Sequence, residues 1–147
     1  MHLPFQVGIS PTLHIRGLIA IDDIKKGAVV ESCPVIFIDI KKEEEFLRQT
    51  VLWKYYFEWT QKHHIFCLGY GSLFNHSYTP NVRYLLNFKA QRLVFRAIKH
   101  IQKGEEMMIN YNWDSDNKDP IEEHLIDFNA HFDTQYTTHQ QTKKELE

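Results

Sequence analysis

Gly69-Tyr70-Gly71-Ser72-Leu73-Phe74-Asn75-His76-Ser77-Tyr78-Thr79-Pro80-Asn81 is the stretch whose reading decides the fold. It follows an aromatic, apolar run at 65–70 that has strand character. A strand should not simply continue into Asn-His-Ser-Tyr-Thr-Pro-Asn, because those residues favour turns and cap their own backbone. Gly69 and Gly71 precede the polar residues, so the backbone there can approach another group closely. Asn75 and His76 together offer donors and acceptors to a polar ligand. Taken alone, the same residue types also describe a plain hydrogen-bonded turn.

Working outward, a second segment is Gly104-Glu105-Glu106-Met107-Met108-Ile109-Asn110-Tyr111. A tyrosine ending an apolar strand can aim its hydroxyl into a site, although many such tyrosines merely satisfy a backbone group. Glu105 and Glu106 read as a solvated strand start, too close in sequence to form an acid/base pair. Further short strands are expected at 18–21, 28–31 and 35–38, divided by Lys-Gly and Cys-Pro breaks. Strands are also expected at 53–59 and 65–70 around a polar turn at 60–64, at 82–88 paired with 92–98, and at 106–110. Residues 41–49 are charged and rich in Glu, which predicts a short exposed helix. Ile121, Leu125, Phe128 and Phe132 have roughly helical spacing, which predicts a C-terminal helix. From 134 the chain is polar and is expected to fray. Ala20-Ile21-Asp22-Asp23-Ile24-Lys25-Lys26-Gly27 echoes Ala97-Ile98-Lys99-His100-Ile101-Gln102-Lys103-Gly104. Either strand ends have converged on one kind of turn, or two halves of one β-fold use equivalent corners.

With 147 residues the chain suits one domain with a real core, and its 43% hydrophobic and 24% charged residues are those of an ordinary soluble protein. Aromatics at 14% fit a site walled by rings, and equally an aromatic core. A net charge of −2 without a basic run argues against binding nucleic acid by its phosphates and suits a basic peptide better. No apolar run is long enough to span a membrane, and no basic-then-apolar leader opens the chain. Two cysteines, Cys33 and Cys67, do not make a disulfide framework and cannot build a four-cysteine zinc site. A reducing cytoplasm is the simplest expectation, with export into a host left open. His124, Asp127 and His131 could share a helix face, but no further ligands are suitably spaced, so no metal is expected.

Phe74-Asn75-His76-Ser77 followed about thirty residues later by Gly104-Glu105-Glu106 and Tyr111 resembles the SET domain. Arg16-Gly17-Leu18-Ile19-Ala20 is similar to that family's N-terminal glycine motif, and Lys26-Gly27 follows as the family has it. The three motifs stand in the family's order, and the resemblance covers about residues 5–115. The run from Leu68 to Ser77 is especially like minimal viral and bacterial SET proteins. Two departures stand out. Ile15 occupies the place of the usual first glycine, and Tyr78 that of a cysteine that often ligates zinc.

The resemblance implies a mostly β, β-clip-like SET fold: several short curved sheets, a short helical insertion and a C-terminal helix. It implies a SET domain at 1–115, a post-SET-like segment at 116–133 and a tail at 134–147. The implied activity is transfer of a methyl group from S-adenosylmethionine to a lysine of a protein or peptide, with no metal. Tyr111 matches the family's catalytic tyrosine, and Tyr55, in Lys54-Tyr55-Tyr56-Phe57, a lysine-channel tyrosine that is also assigned a catalytic part. Tyr70 is a further candidate for the channel wall. Arg16, Gly17, Leu18, Asn75 and His76 match the cofactor-contacting positions, and Trp113 is the nearest aromatic to cover the adenine, with Phe128 and Phe132 behind it. A homodimer is compatible with so small a domain. The rival expectation is a catalytically silent SET-like module that binds a peptide or partner; Ile15 favours it, and Asn75, His76 and Tyr111 oppose it.

Overall fold

The structure, a computed structural model, describes residues 2–121. Nine strands and one α-helix are found among them: β1 (Phe5–Ile9), β2 (Arg16–Ala20), β3 (Val29–Asp39), α1 (Ile40–Leu47), β4 (Phe57–Glu58), β5 (His63–Cys67), β6 (Asn75–His76), β7 (Val82–Asn87), β8 (Arg92–Ala97) and β9 (Glu106–Ile109). They form a sheet of order β1-β2-β9-β6 and a second of order β4-β5-β3-β8-β7. The mostly β architecture of short sheets is therefore as expected. The expected C-terminal helix lies outside the described residues.

Period-two patterning drives the second sheet. Along β8, Leu93, Phe95 and Ala97 are buried and alternate with partly exposed residues. Phe95 stacks on Phe74 with ring centres 4.5 Å apart and planes at 16°, which ties the sheet to the segment leading into β6. Beneath Gly71 the same ring leaves no room: an added Cβ would lie 2.7 Å from it. Packing alone thus demands a glycine at that position.

Three expectations need correction. β3 runs unbroken through Cys33-Pro34. Pro34 falls where the strand changes partner, since Pro34 pairs with Arg92 of β8 and Val35 with Cys67 of β5. A proline, which cannot donate to a ladder, is tolerated at such a junction. The expected strand at 53–59 is a 3-10 turn over Val51–Lys54 followed by the two-residue β4. Trp53 stacks on Tyr56 at 4.5 Å there, so the aromatics pack locally instead of alternating across a sheet. β1 was not anticipated, although Phe5-Gln6-Val7-Gly8-Ile9 alternates in the expected way; it pairs along its whole length with β2.

The internal echo has a structural basis. Ile24 and Ile101 form an antiparallel bridge and exchange both backbone hydrogen bonds, at 2.8 and 2.9 Å. Gly27 N donates to Ala97 O and Gly104 N to Ala20 O, both at 2.8 Å. The two glycines have φ of +90° and +92°. The echoed segments are equivalent corners that bond to each other across a local two-fold.

Candidate active site

β6 and β9 pair in parallel, with Asn75 opposite Met108 and His76 opposite Ile109. This pairing brings the two motif segments side by side. Asn75 is buried, and its amide nitrogen donates to Arg16 O at 2.7 Å and to Glu106 Oε1 at 2.6 Å. The Ser10 hydroxyl donates to the other oxygen of Glu106. Asn81 Nδ2 donates to Glu106 O, and Asn81 Oδ1 accepts from Met108 N, both at 2.8 Å. One buried carboxyl thus joins β2, β6, β9 and the loop before β2.

Glu106 is therefore no solvated strand start, because only 7% of its surface is exposed. Burial pushes its carboxyl above the ordinary range, while the bonds from Ser10 and Asn75 act the other way. The same group explains Gly17. A Cβ there would lie 2.1 Å from Glu106 Oε1 and 2.9 Å from Asn75 Nδ2. Ser10, Asn81 and Glu106 escaped sequence reasoning. For Glu106 the signals were its place in the Gly104-Glu105-Glu106 motif and a glutamate at the start of the otherwise apolar β9.

The His76 ring fixes the end of β9. Its Nδ1 accepts from Tyr111 N at 3.0 Å, so in the neutral ring the proton sits on Nε2. Nε2 is buried and has no partner among the described residues. Burial lowers the pKa of His76, which keeps the ring neutral. Tyr78 meets it edge-on at 4.4 Å, and the Tyr111 ring lies 5.1 Å away. The Tyr111 hydroxyl donates to Phe74 O at 2.7 Å.

Tyr111 also lines a cavity of about 430 Å³, together with Tyr55, Tyr56, Tyr84, Trp113 and Glu58. Arg16 Nη2 donates to the Tyr55 hydroxyl at 3.3 Å. Arg16 thus joins the two regions, its carbonyl held by Asn75 and its guanidinium by Tyr55. Trp113 has φ of +71° and meets Tyr84 edge-on at 5.1 Å. Burial pushes the Tyr84 phenol well above its usual range. Tyr55, Tyr111 and Trp113 are thus brought to one cavity. Tyr70 does not line it; that ring meets Phe5 edge-on at 5.5 Å, and its N–H faces the Glu31 carboxylate at 3.4 Å. Leu18 is wholly buried in the core. Phe128 and Phe132 lie outside the described residues.

A β-rich domain whose two motif strands meet beside a tyrosine-walled cavity defines the class. The chain belongs to the SET domain family, whose model matches residues 15–112. The Histone-lysine N-methyltransferase, H3 lysine-37 specific, of Schizosaccharomyces pombe is 29% identical over 96 residues, which is 65% of this chain and 65% of that protein. The chain thus spans slightly less than two thirds of that relative's length. A candidate histone methyltransferase structure from Plasmodium falciparum is 27% identical, with a TM-score of 0.62 over 76% of this chain and 95% of that one. Polycomb repressive complex 2 of Chaetomium thermophilum, in an autoinhibited conformation bound to S-adenosylmethionine, shares the fold at 22% identity. Its TM-score is 0.62, over 76% of this chain and 15% of that one.

Proposed function

We propose that this chain transfers a methyl group from S-adenosylmethionine to the side-chain amine of a lysine in a protein or peptide. The observation that carries the proposal is Tyr111, whose hydroxyl is fixed on Phe74 O at the wall of an aromatic cavity. Family membership and the named activity of the yeast relative support it. The residues present also fit the methyl donor. The buried Nε2–H of His76, which has no partner among the described residues, suits a polar ligand group. Arg16, Gly17, Leu18 and His76 would hold the donor mainly through their backbone. Asn75 acts as a positioning residue, because its amide grips the Arg16 carbonyl.

S-adenosylmethionine, when bound, supplies an electrophilic methyl on a positively charged sulfur. The acceptor lysine, with an ordinary pKa of about 10.4, must arrive neutral. Aromatic walls withdraw it from water and favour that form. Because the Tyr111 proton is committed to Phe74, its oxygen serves as an acceptor and suits an amine N–H. Tyr55 accepts a bond from Arg16, which fixes its hydroxyl oxygen at the cavity wall. The two phenol oxygens can thereby hold the amine by its N–H groups and leave its lone pair directed at the methyl, and orientation together with exclusion of water supplies the rate gain.

Tyr111→Phe tests the assignment, since it removes one oxygen and keeps the ring. Single-turnover methylation at saturating donor is expected to slow by roughly two to three decades, a reasonable size for a lost transition-state hydrogen bond. Donor affinity should stay near the parental value. A variant that methylates at the parental rate would remove Tyr111 from the reaction.

A further inference from the structure

A second cavity, of about 520 Å³, adjoins the first and shares Glu58 and Trp113 with it. Its other walls include Trp59, His64, Leu86 and Ile40. Among the described residues no lysine or arginine lines it. Glu58 acts electrostatically on both Tyr84, which lines the first cavity, and His64, which lines the second. Its carboxylate makes no ion pair among the described residues. Glu44 and Arg48 also act on His64, but they are paired with each other at 2.6 Å. Burial lowers the His64 pKa, so that ring adds no opposing charge. The result is a cavity with two indoles, a neutral imidazole and one unmatched negative charge.

That combination selects a particular cation. A guanidinium is planar, weakly hydrated, stacks on indole faces and bonds a carboxylate through two N–H groups. An ammonium is a strongly hydrated point charge and gains less from such walls. This corner of the fold already uses the same chemistry internally. Arg48 lies 4.4 Å over the Trp53 ring, which stacks on Tyr56, which in turn packs at 4.5 Å against His64.

We propose that the second cavity is a subsite for an arginine side chain of the same peptide whose lysine enters the first, with Glu58 as its counter-charge and Trp113 as its stacking face. The proposal rests on the methyltransferase reading and adds a substrate preference to it. Because Glu58 and Trp113 border both cavities, a single extended peptide can reach the two together.

The test uses the full chain, S-adenosylmethionine and synthetic peptides that carry one lysine. Arginine is walked through the flanking positions, and each peptide is matched by one with citrulline, which has the same shape and no charge. At one offset, arginine should raise kcat/KM over citrulline by roughly tenfold, mostly through KM, as expected for a guanidinium that meets a carboxylate and an aromatic ring together. The arginine-to-citrulline ratio, taken within each variant, should fall to near one in Glu58→Gln. It should also fall in Leu86→Trp, which fills the cavity from β7. No preference at any offset, or a preference that survives both substitutions, overturns the subsite. If no peptide is methylated at all, the parent reading fails instead. Anisotropy of the same peptides, labelled, then decides the subsite by the same ratio.

Discussion

Glu106 is the residue on which the construction of the site turns. It holds Asn75, Asn75 holds the Arg16 carbonyl, and the carboxyl leaves no room for a Cβ at position 17. Burial raises its pKa, so the folded protein binds that proton more tightly than the unfolded chain, whose glutamate titrates near 4.3. Its contribution to stability is therefore full below about pH 4.3 and declines as the pH rises through the folded value. Glu106→Gln carries no titrating group. Urea unfolding across a pH series should show the stability difference shifting in favour of Gln as the pH rises above about 4.3. A difference that stays constant, or moves towards the glutamate form, would mean the carboxyl is ionised and satisfied as it stands. Only part of this arrangement was legible in the sequence. Asn75, His76 and Tyr111 announce themselves through neighbours in their own segments. The Glu106 links to Ser10 and Asn75 span 96 and 31 residues, and nothing local in the sequence reports such pairings.

The paired corners are the clearest device at the level of elements. Gly27 and Gly104 both have positive φ, and nothing lies within 4 Å of a Cβ added at either. Alanine there meets no obstruction, so its cost is conformational alone, roughly 1–2 kcal/mol for a left-handed L-residue. Because the corners are equivalent, Gly27→Ala and Gly104→Ala should destabilise by similar amounts in chemical denaturation. A large inequality would show that the local two-fold is only superficial. This corner was readable because the repeated Ala-Ile-x-x-Ile-x-Lys-Gly pattern is local. By contrast, the strand expected at 53–59 failed because aromatic content does not distinguish rings that alternate across a sheet from rings that stack on a turn. Pro34 misled in another way. A proline breaks a strand only where its missing N–H is needed, and here it stands where one partner strand gives way to the next.

At the scale of the molecule, two short sheets meet so that β6 and β9 hold the motif residues while the segment from α1 to β4 supplies the opposite aromatic wall. The tyrosines that line the first cavity come from the turn before β4, from β7 and from the end of β9. Their convergence depends on both sheets, so the sequence could show the motif residues one by one and could not show either cavity. Methyl transfer to a lysine side chain is read without intermediary by tandem mass spectrometry of a lysine peptide after incubation with the protein. With S-adenosylmethionine present, methyl groups are expected on the lysine nitrogen alone, and almost none when Tyr111→Phe replaces the parent. A demonstrably folded parent chain that leaves every lysine peptide unmodified and binds no methyl donor would contradict it.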